Sequence, residues 1–183
     1  MSKIKLCKIV KDSTTDGPGV RFAIHTQTCF FKCEGCSVPH TWDAEQGQLF
    51  DIEDIISDIK EVADKIDGIT FSGGEPFLQA DPLTDILIEL NKAGITLPVL
   101  CYTGYTWEEL ILLAKESNSY NRLLMHIDQL IDGRYDKDKA TMDLKYRGSV
   151  NQRYIDVRES MKSGTIVKVK EDDNNNVEQE DSK

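Results

Sequence analysis

The sequence predicts an α/β fold with a parallel sheet that forms an incomplete, open barrel. Short β-rich runs alternate with amphipathic segments, no internal repeat is present, and the chain has 183 residues. Alternation of strand, helix and strand implies parallel strands joined by right-handed crossovers. Because a complete eight-stranded barrel takes about 250 residues, we expect this chain to supply about five or six strands.

Four runs rich in β-branched and aromatic residues predict the strands of this sheet. They are "VRFAIHTQT" at 20–28, "GITFS" at 68–72, "LPVLCYT" at 97–103 and "DQLID" at 128–132. Each run leads directly into a cysteine-rich or glycine-containing loop. The loops that follow parallel strands open on one face of an α/β sheet, and ligands bind there. We therefore expect the cysteines and the glycine-containing turns to meet in one cleft.

Three stripes of apolar side chains at helical spacing predict helices that cover the sheet. A fully buried Ile or Leu contributes roughly 1.5–3 kcal/mol, most of it offset by the entropy of ordering the chain. We expect these side chains to form the core. The stripes are Ile52, Ile55, Ile56, Ile59, Ala63 and Ile66; Leu83, Ile86, Leu87 and Leu90; and Trp107, Leu110, Ile111 and Ala114.

Charge and composition set limits on the partners and the location. The net charge of −10 argues against a nucleic-acid partner, because phosphate backbones favour Lys and Arg. We expect one domain over residues 1–170 and a disordered tail over 171–183, where six acids and one Lys stand among almost no apolar residues. No apolar run is long enough to cross a membrane, and the N-terminal residues lack a signal-peptide pattern. A cytoplasmic location follows, where the five cysteines stay reduced.

The stretch "TQTCFFKCEGCSVPHTWD" places Cys29, Cys33 and Cys36 within eight residues. A structural zinc site needs four ligands, so His40 could complete a site of three Cys and one His. The two other thiols, Cys7 and Cys101, lie in strand-like runs and are expected to be small buried hydrophobes.

An iron–sulfur cluster is the other interpretation of this loop. Thiolates ligate the irons of a [4Fe–4S] cubane, and a full set of ligands is four. Three thiolates would hold the cubane and leave one iron without a protein ligand. An open metal position is a place for substrate, as in catalytic metal sites generally.

Several motifs together resemble a known family. The spacing C-x3-C-x2-C with "SGGEP" at 72–76 resembles the radical S-adenosylmethionine (SAM) enzymes, and "DGPGVR" at 16–21 with "TWD" at 41–43 resembles the activases of glycyl-radical enzymes. The resemblance extends over about residues 10–158 and implies a barrel of the radical SAM type. Three further segments are similar to activating proteins of anaerobic (class III) ribonucleotide reductase: "CYTGYTWEEL" (101–110), "IDQLIDGRYDKD" (127–138) and "RGSVNQRYID" (147–156).

The resemblance implies a set of cofactors and site residues. It implies one [4Fe–4S] cluster ligated by Cys29, Cys33 and Cys36, with the amino and carboxylate groups of SAM on the open iron. The remaining site residues that it implies are Gly73, Gly74 and Glu75 at the methionyl part of SAM, and Gly35, Cys36 and Ser37 at its adenine.

Some positions depart from the family pattern or have no derived role. Thr28 stands where a glycine is expected, and Ser37-Val38 stands where an aromatic residue and Asn are usual, so SAM affinity is the property these changes affect. In "RGSVNQR", the spacing itself indicates no chemistry. Arg147 and Arg153 are either surface cations or groups that hold the carboxylate of SAM or dock a partner.

The function that the resemblance implies is activation of anaerobic ribonucleotide reductase. A reduced cluster would cleave SAM, and the resulting radical would remove hydrogen from a glycine of the reductase. A flavodoxin, thioredoxin or ferredoxin-type protein would supply the electron. Three alternatives stay open: an activase of pyruvate formate-lyase or another glycyl-radical enzyme, a radical SAM enzyme acting on a small molecule, and a ferredoxin-like or zinc-binding module.

Overall fold

A computed structural model describes residues 2–170 as one sheet of eight strands covered by helices. The acidic tail predicted at 171–183 lies outside the described residues. The strands are β1 Lys3–Ser13, β2 Arg21–Thr26, β3 Gln48–Asp51, β4 Gly68–Gly73, β5 Val99–Tyr102, β6 Gln129–Asp132, β7 Arg153–Asp156 and β8 Val167–Lys168. The α-helices are α1 Ile52–Val62, α2 Ala80–Lys92, α3 Trp107–Glu116, α4 Asn118–Leu124 and α5 Val157–Ser163.

The sheet is mixed, with its parallel strands at the centre. The strand order is β3-β1-β2-β4-β5-β6-β7-β8, and β2, β4, β5 and β6 pair in parallel. These four are the four strands predicted from the sequence. The expected α/β fold with a parallel sheet is therefore confirmed in part: the sheet has eight strands, not five or six, because β1 and β3 on one side and β7 and β8 on the other pair antiparallel. Antiparallel neighbours need only a short connection, so they add strands without adding helices.

The predicted helical stripes form the main core. All the Ile and Leu residues of the first two stripes are buried, as are Trp107 and Leu110 of the third, while Ile111 and Ala114 are partly buried against them. Helix α3 begins at a capping box in which Thr106 accepts from the main-chain N–H of Glu109 and the Glu109 side chain accepts from that of Thr106. This cap fixes the helix start directly after the loop that follows β5.

The opposite face of the sheet is more polar. Because side chains alternate along a strand, Leu100 and Tyr102 of β5 lie on the face opposite Cys101, where Leu100 packs with Ile131 and Tyr154. On this face the buried Arg21 guanidinium donates to the carbonyl oxygens of Ile69 and Pro98 at 2.6 and 2.9 Å. The charge is therefore satisfied by carbonyl groups at the ends of the parallel strands.

An ion-pair group joins β6, β7 and α3. Asp132 is fully buried and accepts from the main-chain N–H of Trp107 at 2.7 Å and from Arg153 Nε at 3.0 Å. The same guanidinium donates to Glu108 and lowers the pKa of that carboxyl to about 2. The Arg153 guanidinium is thus bonded to two carboxylates of its own chain, and its contact with SAM or a partner stays a prediction.

Replacing Arg153 by Ala should lower the free energy of unfolding by about 3–5 kcal/mol, because it leaves Asp132 buried without a cation. Urea denaturation measures this value. Arg158→Ala is the matched control, since Arg158 pairs with Asp128 while its side chain is 76% exposed, and it should cost less than about 1 kcal/mol. Equal losses for the two variants would contradict the assignment.

Candidate metal centre

The three clustered cysteines lie on the cysteine loop, residues 29–36, which begins just after β2. The base of this loop is closed by the main-chain N–H of Thr28, which donates to Thr41 O at 2.7 Å. The buried side-chain amide of Gln27 donates to the carbonyl oxygens of His40 and Asp43 at 2.9 and 2.8 Å. The segments before and after the loop are therefore held together by hydrogen bonds from Gln27 and Thr28, and Cys29 N adds a longer one to Trp42 O at 3.5 Å.

The thiols of Cys29, Cys33 and Cys36 are half-buried and lie close to main-chain N–H groups. Burial raises the pKa of the Cys29 thiol, and the N–H groups of Phe31 and Lys32 oppose that rise. Burial likewise raises the pKa of Cys33, opposed first by the N–H of Tyr135. The Cys36 sulfur accepts from the N–H of Val38 at 3.5 Å. Main-chain N–H groups favour the thiolate form of Cys29 and Cys33, but burial outweighs them in the metal-free protein.

Three cysteine side chains are, by their chemistry, ligands for an iron–sulfur cluster. Over residues 2–170, no three His, Cys, Asp or Glu side chains are gathered closely enough to hold a single metal ion. A tetrahedral zinc ion needs sulfur ligands at about 2.3 Å, whereas a cubane places its thiolates on different irons. The site of three Cys and His40 is accordingly not formed in this arrangement, and hydrogen bonds to sulfur are among the features that tune iron–sulfur clusters.

The two other cysteines lie away from this loop. Cys101 is fully buried within β5, as predicted, and burial raises the pKa of its thiol. Cys7 is half-buried in β1, so the expectation of a buried hydrophobe is met only in part.

The glycines of the "SGGEP" motif pack against the base of the cysteine loop. The N–H groups of Gly74 and Glu75 donate to the carbonyl oxygens of Thr26 and Thr28, each at 2.8 Å. A Cβ on Gly74 would lie 2.3 Å from Thr28 O, and one on Gly73 would lie 2.6 Å from Thr26 N. The absence of a side chain is therefore required by the protein's own main chain. Contact of Gly73 and Gly74 with SAM stays a prediction.

Glu75 joins the same motif to the turn that follows β5. The residue is fully buried, and its Oε1 accepts from Thr103 Oγ1 at 2.9 Å and from Phe77 N at 3.1 Å. Its Oε2 accepts from Gly104 N at 2.8 Å. Burial raises the pKa of this carboxyl to about 7, although the three hydrogen bonds oppose that rise. Glu75 therefore positions the turn after β5. Its contact with the ammonium group of SAM stays a prediction.

The strand-end loops converge on the cysteine loop, as predicted. A Cβ on Gly104 would lie 2.4 Å from the Phe31 ring, whose centroid is 4.9 Å from that of Tyr105. From the turn after β6, Arg134 lies over the same ring with Cζ 4.5 Å from its centroid. Phe31 therefore contacts loops from two other strands. Gly35 and Ser37 lie at the exposed end of the loop, and their contact with adenine stays a prediction.

His25, Asp16 and Ser13 form a polar group that the sequence did not predict. His25 is buried, and its Nε2 lies 3.5 Å from Asp16 Oδ1, at the outer limit of hydrogen-bond distance, and forms no hydrogen bond. Nearness to His25 still lowers the pKa of Asp16, whose Oδ2 accepts from Ser13 Oγ at 2.5 Å. Within residues 2–170, His25 Nε2 is the buried side-chain polar atom left without a hydrogen bond. Sequence patterns carry no signal for such a contact between separate segments.

The backbone conformation of Thr28 explains why the family pattern has a glycine at this position. Its φ is +81°, a backbone conformation that favours glycine and that a β-branched residue rarely adopts. Such a residue costs of order 1–3 kcal/mol. The hydrogen bonds of Thr28 with Thr41 and Glu75 hold it there, directly before Cys29.

Thr28→Gly should raise the free energy of unfolding of the metal-free protein by about 1 kcal/mol, because relief of strain exceeds the added entropy of an unfolded glycine. Urea denaturation provides the measurement. Thr28→Ala removes the same side-chain atoms beyond Cβ but keeps the unfavourable φ, so it should show no comparable gain. A Thr28→Gly variant no more stable than Thr28→Ala would show that the conformation is not strained.

None of the helices within residues 2–170 is both long and apolar enough to span a membrane.

Comparison with known proteins identifies the family. Residues 15–155 match the family model described as a 4Fe-4S single cluster domain. The anaerobic ribonucleoside-triphosphate reductase-activating protein of Vibrio cholerae is 34% identical over 143 residues, covering 75% of this chain and 88% of that protein. The proteins of the same name from enterobacteria phage T4 and Escherichia coli K12 are each 32% identical, covering 75% of this chain and 85% and 88% of their own lengths.

Among solved structures, QueE from Escherichia coli is 20% identical, with a TM-score of 0.44 over 57% of this chain and 53% of that one. That likeness is too low to support an argument. The family match and the relatives show that the chain belongs to the 4Fe-4S single cluster domain family and, within it, to the anaerobic ribonucleoside-triphosphate reductase-activating proteins.

Proposed function

We propose that this protein is a radical SAM activase that generates the glycyl radical of anaerobic ribonucleoside-triphosphate reductase. The observation that carries the proposal is the set of three half-buried thiols on one loop, at the point where the parallel strands end. The names of the relatives support the reductase as partner. The radical SAM domain is proposed to span residues 1–170.

Cys29, Cys33 and Cys36 would hold one [4Fe–4S] cluster, with SAM at the iron that lacks a protein ligand. When bound, the cluster and SAM supply a one-electron cleavage that yields methionine and a 5′-deoxyadenosyl radical. Together these groups would supply the one-electron chemistry that removes a hydrogen atom from the partner's glycine Cα. The cofactors carry this chemistry, and the protein contributes binding, orientation and the exclusion of water.

The residues around the cysteine loop are suited to orient these groups. The Gly73–Glu75 turn is hydrogen-bonded to both Thr26 and Thr28, so movement of the loop base would break main-chain contacts on both sides. Phe31 fills the space between the cysteine loop and the turn after β5. Phe30 is 51% exposed beside it, which leaves an aromatic ring available to shield the site when a partner covers it.

A glycine in the partner suits a site of this shape. We propose that the sheet curves into a half barrel whose open side admits the partner's glycine loop. A residue without a side chain can approach closely, and its hydrogen is removed from the main-chain carbon itself. Because the radical would react with solvent, it must form inside an interface that excludes water.

The electron donor is proposed to be a flavodoxin, thioredoxin or ferredoxin-type protein. Glu34 and Gly35 lie exposed at the outer end of the cysteine loop, where a donor could approach the cluster. The cytoplasm is the proposed location, since cluster thiolates need a reducing compartment. Activation of pyruvate formate-lyase stays an alternative, but the names of the relatives favour the reductase.

Anaerobic reconstitution should load about four irons per chain through the three loop thiolates. Cys29→Ala, Cys33→Ala and Cys36→Ala should each lose the brown chromophore, as followed by iron analysis and absorbance. Cys7→Ala and Cys101→Ala are the matched controls and should retain it. Loss of the cluster from Cys101→Ala alone would contradict three-thiolate ligation.

Mixing the reconstituted protein with anaerobic ribonucleotide reductase, SAM and dithionite without oxygen should produce a doublet EPR signal. The splitting should change when the reductase carries glycine deuterated at Cα, because the unpaired electron is on that carbon. The same mixture with Cys33→Ala should be silent, as should one with pyruvate formate-lyase as partner. A signal from the lyase alone would reassign the partner, and silence with both partners would refute the activase function.

A further inference from the structure

The segment that follows β6, residues 133–137, lies across the cysteine loop and contacts it at several points. Arg134 covers the Phe31 ring. The Tyr135 ring lies where a Cβ on Gly35 would come within 3.2 Å of it. Lys137 forms an ion pair with Glu34. Successive residues of one segment thus contact the loop from Phe31 to Gly35.

The "RGSVNQR" motif, whose chemistry the sequence did not reveal, holds this segment in place. Asn151 Nδ2 donates to Arg134 O at 2.8 Å, and Gln152 Nε2 donates to Gly133 O at 3.0 Å. Ser149 Oγ accepts from the N–H of Asp136 at 3.2 Å. The three polar residues among positions 149–152 of the motif are therefore all bonded to the main chain of the 133–137 segment.

Two further contacts complete the arrangement. A Cβ on Gly148 would lie 3.0 Å from the Tyr135 ring, so the motif leaves room for that ring. Arg134 Nη2 donates to Glu109 Oε1 at 3.1 Å, and Glu109 belongs to the capping box of α3. The Arg134 guanidinium is therefore held between the start of α3 and the ring of Phe31.

We propose that the 133–137 segment, held by Ser149, Asn151 and Gln152, positions the cysteine loop, and that the charge of Arg134 raises the reduction potential of the cluster. This inference rests on the proposed cluster. Reduction adds one negative charge to a group that three thiolates already make anionic, so a nearby cation favours the reduced state. Arg134 is a positioning residue, because it acts through Phe31 and through its charge.

Exposure and the ion pair with Glu109 limit the size of the effect on the reduction potential. The Arg134 side chain is 46% exposed, so water, salt and the Glu109 carboxylate offset part of its charge. A change of about threefold in the equilibrium constant for reduction is expected, which for a one-electron couple is about 30 mV. Because Arg134 stacks on an aromatic face, Lys can replace its charge but not its planar contact.

The experiment compares the reconstituted wild-type protein with Arg134→Gln, Arg134→Lys and Arg122→Gln by EPR-monitored redox titration. Arg122→Gln is the matched control, because it removes the same charge from an ion pair with Asp81 and Asp85. Arg134→Gln should lower the potential by about 30 mV relative to Arg122→Gln. Arg134→Lys should stay close to the wild-type value.

Hydrogen exchange of the metal-free proteins tests the positioning role independently of the cluster. Amides of residues 29–36 should exchange about threefold faster or more in Gln152→Ala and in Arg134→Gln than in Arg122→Gln. Unchanged exchange in both variants, or a potential in Arg134→Gln equal to that of Arg122→Gln, would overturn the inference while leaving the proposed function intact. A wild-type protein that binds no cluster would refute both.

Discussion

The contact between the end of β2 and the Gly73–Glu75 turn is the constraint on which the site depends. Parallel pairing of β2 with β4 brings Thr26 opposite Gly73, and two main-chain hydrogen bonds continue that pairing beyond the strands to Thr28. Glycine is required at both positions 73 and 74, because a side chain would collide with the facing main chain. The cysteine loop therefore starts from a fixed point set by the sheet.

Two buried carboxylates, Glu75 and Asp132, connect neighbouring strand-end loops to one another. The buried carboxylate of Glu75 accepts from Thr103 and Gly104, which fixes the turn after β5 relative to the cysteine loop. Asp132, at the end of β6, accepts from the first N–H of α3 and pairs with Arg153. A buried charge without its partners is costly, so each carboxylate specifies one arrangement of the loops it joins. The cleft is thus held by a small number of buried polar contacts rather than by apolar packing alone.

The parts of the fold that the sequence predicts are those that leave a periodic signal. The four parallel strands and the three helical stripes were confirmed because each has its own pattern of burial. The flanking strands β3, β7 and β8 were missed: they have two to four residues each, too few to show alternation. The three cysteines were recognised by their spacing, and the convergence of the loops followed from the order of parallel strands.

What the sequence could not supply was contact between distant segments. The bonds from Asn151 and Gln152 to the 133–137 segment join residues 17 and 19 positions apart, and the ion pair of Lys137 with Glu34 joins residues 103 apart. The glycine motif has a second cause besides the inferred contact with SAM, since a side chain at Gly73 or Gly74 would meet the chain's own main chain. Thr28 shows the opposite case: its departure from the family pattern was visible in the sequence, and its positive φ gives the physical reason for the usual glycine.

The central claim is that three thiolates hold a four-iron cluster whose remaining iron binds SAM. The most direct measurement is Mössbauer spectroscopy of protein reconstituted with ⁵⁷Fe, recorded with and without SAM. One iron site of the four should change its isomer shift when SAM is added, as expected for a site that gains ligands, while the other three stay the same. Four equivalent irons that do not respond to SAM would contradict the claim, as would a spectrum without a cluster.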